Sequence, residues 1–156
     1  MDFAGAIKAG FQNYANFRGV ASRSAFWYWR LFITIVNVGT TFLPVVGQVA
    51  SIGLFLPDLA ISIRRTRDAG FSAWLQLLWL IPVGLGLYAL PGAFAYGANH
   101  PINLDTASDT QLFAWITPLV EMALPAFLTA LAVQLFFFIT YLLPTKTAEQ
   151  GNKLVK

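Results

Sequence analysis

The chain has 156 residues, of which 57% are hydrophobic, 15% aromatic and only 11% charged; its formal net charge is +3 and it contains no cysteine. A mean hydropathy of +0.63, with less than half the charged content of an ordinary soluble domain (about 25%), excludes a water-soluble globule and implies one small membrane domain. The missing thiols exclude disulfides, thiolate metal sites and cysteine nucleophiles, and the ten basic groups, divided among residues 1–30, 64–67 and 146–156, do not form the stripe that nucleic-acid binding requires.

Residues 1–23 carry no continuous apolar run and no small-residue cleavage site, so they are not a cleavable signal. Phe3, Ile7, Phe11, Tyr14 and Phe17 recur at spacings of three and four, opposite Asp2, Gln12, Asn13 and Asn16. This pattern predicts an amphipathic helix that lies in the headgroup plane or packs on the inner ends of the spans. Residues 31–63 hold one charged group, Asp58, and would extend about 50 Å as a helix against a hydrocarbon core of about 30 Å. A hairpin is therefore predicted, with spans over 24–43 and 48–63 and a turn around Pro44 and Gly47. A third span over 72–96, bent or loosened at Pro82 and Pro91, leads into a loop, 98–111, that contains Asp105 and Asp109 but no Lys or Arg.

The last apolar block, 112–143, is long for one span and short for two. Two spans would carry Lys146, Lys153 and Lys156 to the outside, so the charge pattern favours an interfacial or re-entrant helix over 112–124 and one span over 125–143. A cytoplasmic tail, 144–156, follows. The predicted fold is an all-α integral membrane protein: a four-span helical bundle with an N-terminal amphipathic interfacial helix, both termini cytoplasmic and the 98–111 loop outside. Trp115 would anchor the outer end, and Trp27, Tyr28, Trp29, Trp74 and Tyr141 would form an inner aromatic belt.

Two separated motifs carry a resemblance. The stretch from Tyr14 to Trp29, with Arg18-Gly19 and Ser22-Arg23 ahead of Phe26-Trp27, and the stretch from Leu56 to Trp74, with Leu56-Pro57, Ala60, Arg64-Arg65, Asp68, Gly70, Ser72 and Trp74, resemble the bacterial inner-membrane family known as domain of unknown function 805, the YhaH/YhaI-like proteins. The motifs cover about residues 14–100, and the segment from Leu112 onward looks like an extension. The resemblance implies a multi-span inner-membrane protein and supplies no activity. The chain departs from the family pattern at Ala25, where the family has a capping Glu, and at Arg67, where it has His; Arg30 and Asp58 stand where apolar or neutral residues are expected.

Four groups of residues are candidates for function. Arg30 and Asp58 both fall about 9 Å below the inner boundary of the first hairpin, so they are placed to pair; the alternative is that Arg30 snorkels to the headgroups and Asp58 bonds a hydroxyl or water. Arg64, Arg65, Arg67 and Asp68 form a loop cluster suited to anionic lipid or a partner, or one that ties the loop to neighbouring helix ends. Ala89, Ala93 and Gly97 on the third span, with Ala126 and Ala130 on the fourth, follow small-xxx-small spacing and form an association face, between chains or within one. His100 is the only histidine, and a lone His in a polar loop is not a metal site unless a second chain supplies ligands.

Catalysis finds no support: there is no phosphate loop opening a helix, no intramembrane His and no paired acids on one face, and no cofactor is implied. Three function classes follow. The first is a non-catalytic accessory or structural subunit that associates with other membrane proteins or itself. The second is a transport or channel element using Arg30, Asp58, Glu121 and Gln134. The third is an anionic-lipid-binding protein at the inner leaflet.

Overall fold

In the computed structural model residues 1–146 are described; residues 147–156, with Lys153 and Lys156 of the expected tail, lie outside the described residues. Five α-helices follow in order: α1 (Phe3–Gln12), α2 (Arg23–Gly39), α3 (Pro44–Asp68), α4 (Leu80–Asn99) and α5 (Asp109–Leu142), with a 3-10 helix over Ala73–Trp79 ahead of α4. There is no strand among the described residues. The chain forms two compact units, one of Met1–Leu75 with the chain from Phe138 onward, the other of Gln76–Phe137.

Three helices are long and apolar enough to cross a membrane: Pro44–Asp68, Ala73–Asn99 and Asp109–Leu142. With 17 residues, α2 extends only about 25 Å, at the short limit for a span. Several boundaries differ from those the sequence predicts: α2 ends at Gly39, ahead of residue 43, and the turn expected around Pro44 and Gly47 is the first turn of α3. Residues 64–68 are not a loop, because α3 continues through them to Asp68. Residues 112–143 are not divided, because α5 runs unbroken for 34 residues through Pro118 and Pro125. Each proline removes one backbone donor, which costs a single bond in a helix long enough to be held by its remaining ladder.

Local chemistry explains the ends. Ser22 caps α2, its hydroxyl accepting from the Ala25 amide at 3.4 Å, without the Glu that would complete a capping box. Ser108 and Gln111 form such a box at the start of α5: the Ser108 amide donates to Gln111 Oε1 at 3.0 Å and the Gln111 amide to Ser108 Oγ at 3.4 Å. Gly70, at φ 84°, closes α3 in a Schellman turn, with the Phe71 amide donating to Thr66 O and the Gly70 amide to Arg67 O. The loosening expected at Pro82 falls just before it. Pro82 has no N–H for the Leu78 carbonyl and its ring crowds that oxygen, and the preceding seven residues wind as 3-10.

In the first unit α1 packs on α2 through its small residues. Ala6 and Gly10, one turn apart, are both buried, and a Cβ at Gly10 would overlap the six-membered ring of Trp29. The aromatic stripe straddles this seam: Phe11 meets Trp29 and Phe32 edge-on at 5.4 and 5.9 Å, and the Tyr14 hydroxyl donates to Gly53 O on α3. Trp29 and Tyr141, expected in an aromatic belt, turn inward instead and are 0% and 6% exposed. Tyr141 packs on Phe26 at 4.2 Å between ring centroids.

In the second unit α4 and α5 approach where Gly86 faces Ala126, an added Cβ lying 4.0 Å from the alanine methyl, and where Gly92 faces Met122. Trp79 and Phe137 stack at 6.3 Å. Elsewhere large apolar side chains point outward, among them Phe42, Ile52, Tyr88 and Phe113, a surface that lipid solvates and water does not.

Candidate functional site

The C-terminal end of α3 gathers most of the buried charge. Its last turns carry Arg65 and Arg67, cations placed at the negative end of the helix dipole. Arg65 is 0% exposed and Asp68 2%, and Arg65 Nη1 donates to Asp68 Oδ2 in a buried ion pair. The rest of the Arg65 fork reaches the last helix. Nε and Nη2 donate to Tyr141 O at 3.2 and 2.9 Å, and Nη2 also donates to Leu143 O. These carbonyls belong to the final turn of α5 and its exit, where a helix has no amides of its own to offer. A planar guanidinium with five donors suits that task; a lysine could not meet a carboxylate and two carbonyls in one plane.

Asp68 extends the clamp. Its Oδ2 accepts from the Thr145 hydroxyl at 2.7 Å, its backbone carbonyl accepts from the Lys146 amide at 2.9 Å, and the Lys146 ammonium lies 5.9 Å from the Phe71 ring centroid. The neighbouring arginines hold the other end of the chain. Arg67 Nη1 donates to Phe17 O, and the Ala21 amide donates to Arg64 O at 3.3 Å. Arg64 itself, 9% exposed, folds back to Ala60 O at 3.3 Å. The four residues of the expected lipid or partner cluster are thus brought together, with the Arg65 fork directed into the protein.

Arg30 and Asp58 meet across α2 and α3. Arg30 Nη1 lies 3.2 Å from Asp58 Oδ2, with side chains 38% and 25% exposed. Arg30 Nη2 donates to the buried Ser62 hydroxyl at 3.3 Å, and the guanidinium stands 5.3 Å from the Phe26 ring centroid. The Trp29 indole adjoins the same carboxylate. Trp29 Nε1 and Asp58 Oδ1 are the two buried side-chain polar atoms among the described residues with no hydrogen-bond partner.

The small-residue positions are used only in part. Ala126 stands opposite Gly86, and a Cβ at Gly97 would meet nothing within 4 Å. Ala89, Ala93, Gly97, Ala126 and Ala130 are all half-buried. No three His, Asp or Glu side chains stand close enough among the described residues to hold a metal ion. The partners that sequence reading missed, Phe17 O, Tyr141 O and Leu143 O, are backbone carbonyls, which leave no mark in residue identity.

The chain is 34% identical over 87 residues to the inner membrane protein YhaH of Escherichia coli K12, covering 46% of this chain and 69% of the relative. The YhaH protein of Escherichia coli O157:H7 matches equally. No solved structure matches. A family profile described as protein of unknown function (DUF805) matches residues 14–153, so the segment from Leu112 onward is part of the family region and not an extension. The match spans both the arginine clamp at the end of α3 and the end of α5 that it holds, and the chain belongs to the DUF805 family.

Proposed function

We propose that this protein is a non-catalytic, multi-pass subunit of the bacterial inner membrane that associates with a second membrane protein or with its own copies. The short α2 serves as a fourth span, and both termini and the end of α3 are cytoplasmic, a placement that the segregation of Lys and Arg supports. The observation that carries the association is Gln134. It is an exposed amide on α5, the most apolar of the candidate spans, about 12 Å along the helix from Leu142 and so within the hydrocarbon.

An amide facing hydrocarbon without a partner is costly, about 4–8 kcal/mol by transfer to cyclohexane. A side chain from another chain removes that cost and holds the helices together by about 1–2 kcal/mol. Arg65 supports a structural role in a different way, since its donors already serve α5. Anionic lipid at the inner leaflet then has the exposed Lys8, Arg18 and Arg23 to bind.

Size-exclusion and cross-linking of the full chain, extracted in mild detergent from its native membrane, test the proposal. The wild type migrates as a stoichiometric complex, and Gln134→Leu releases inserted monomer. A wild-type monomer with no stoichiometric partner overturns it. A transport element is the second reading, favoured by the unpartnered Trp29 Nε1 and Asp58 Oδ1 beside Arg30; solute flux in liposomes that Asp58→Ala abolishes would put it first.

A further inference from the structure

The α4–α5 connection forms an open cleft of about 520 Å³, lined by Tyr96, His100, Asn103, Thr106, Gln111 and Trp115 among others, within the range of about 300–1,000 Å³ typical of small-molecule sites. Its aromatic wall is built. The Tyr96 and His100 rings stack at 4.3 Å and 21°, Trp115 lies 6.4 Å from Tyr96 between ring centroids, and the Trp115 indole N–H donates to His100 O at 2.6 Å. With its one donor so occupied, Trp115 offers a visitor only its face.

The polar groups of the wall have fixed senses. Asn103 Oδ1 accepts from the Asp105 amide at 3.0 Å and Gln111 Oε1 from the Ser108 amide at 3.0 Å, so both side-chain NH₂ groups are left to donate. His100 Nδ1 lies 3.0 Å from Tyr96 O. A carbonyl accepts only, so this nitrogen carries a proton and donates to it. The Thr106 hydroxyl both donates and accepts. The site therefore presents two amide donors, an imidazole ring and a hydroxyl beside aromatic faces.

Charge narrows the occupant. No Lys or Arg occurs from residue 68 to 145 and the loop carries Asp105 and Asp109, so a phosphate or carboxylate meets no cation to neutralise it, while the NH₂ groups of the lining present their positive ends to a cation. We propose that this cleft binds a neutral saccharide ring, whose hydroxyls both donate and accept and whose C–H face packs on Tyr96 and Trp115. The site lies in one compact unit and needs no partner chain, so its failure leaves the role of Gln134 standing.

Two isosteric variants isolate the chemistry. Asn103→Asp and Gln111→Glu keep the oxygen that caps the backbone and replace the donating NH₂ by an acceptor. The full chain is placed in phospholipid nanodiscs free of sugar detergents, and saturation-transfer NMR is recorded with glucose, N-acetylglucosamine, glucuronate and glucosamine. The expected result is transfer to the ring protons of the neutral sugars, with each variant weakening binding about fivefold or more and Trp115→Ala abolishing it while the elution profile is unchanged. The site is refuted if neither neutral sugar binds up to about 10 mM, or if both variants bind as well as the wild type. Tighter binding of glucosamine, strengthened by the two variants, would likewise overturn the neutral assignment in favour of a cation site.

Discussion

Replacing Arg65 by leucine tests the clamp most sharply. The substitution removes the bonds to Asp68 Oδ2, Tyr141 O and Leu143 O, and leaves a carboxylate that is 2% exposed with the Thr145 hydroxyl as its side-chain partner. Breaking one side of a buried pair costs about 3–5 kcal/mol, a large share of a total stability of about 5–15 kcal/mol. For a chain of this size each kcal/mol moves the thermal midpoint by about 2–4 °C, so the midpoint should fall by about 6–20 °C. Arg65→Lys should lose about half as much, because an ammonium reaches Asp68 but not the two carbonyls in the same plane. Adding Asp68→Leu to Arg65→Leu should recover part of the loss by removing the stranded charge. Fluorescence-detected size-exclusion of the solubilised full chain after heating measures all three. A midpoint within about 2 °C of the wild type for Arg65→Leu, or strict additivity in the double variant, would refute the reasoning.

Other outcomes follow from the packing and the charge pattern. Gly10→Ala should destabilise the chain by about 1–3 kcal/mol, since its Cβ overlaps the Trp29 ring and Trp29 is fully buried; faster tryptic cleavage at Lys8 reads out the displaced α1. By contrast, Gly53→Ala, where the added carbon meets nothing within 4 Å, should be neutral or stabilising by up to about 1 kcal/mol. For Arg30 and Asp58, Asp58→Ala should lower the midpoint more in the wild type than in an Arg30→Leu background, by a coupling of about 0.5–3 kcal/mol; additive losses would mean that the 3.2 Å pair contributes nothing of its own. Cysteines placed at Asp105 and Lys8 report sidedness: an impermeant thiol reagent applied to intact cells should label the first and not the second, and the reverse would invert the topology.

The helices were largely legible in the sequence, because charge segregation and turn residues act locally. Ser22, Pro44, Gly70 and Ser72 mark real ends or turns, and α2, α3 and the apolar stretch Ala73–Asn99 fall within a few residues of the predicted spans, although the first seven residues of that stretch wind as 3-10 and α4 itself starts at Leu80. Reading Pro125 as a boundary failed, since a proline breaks a helix only when nothing else holds it, and α5 has 34 residues to do so. The arginine cluster was legible as charge but not as architecture. What sets the destination of Arg65 is the end of a helix 76 residues away, and the positive-inside pattern predicts an arginine at that depth whether or not a carbonyl waits for it. Trp29 shows the same limit: an aromatic at a membrane interface and an aromatic under a glycine of α1 look alike until Gly10 is seen above it.

The order of synthesis gives the Arg65 clamp a temporal meaning. The ribosome makes Arg65 long before the atoms it grips, Tyr141 and Leu143 following by 76 and 78 residues. At about 5–20 residues per second, the growing chain holds Arg65 and Asp68 for about 4–15 s without their final partners. Until Tyr141 and Leu143 have been made the charged cluster is unsealed, and any product that stops before Tyr141 keeps it so. A chain that has reached Leu143 and one that has not therefore differ in whether the Arg65 fork is satisfied.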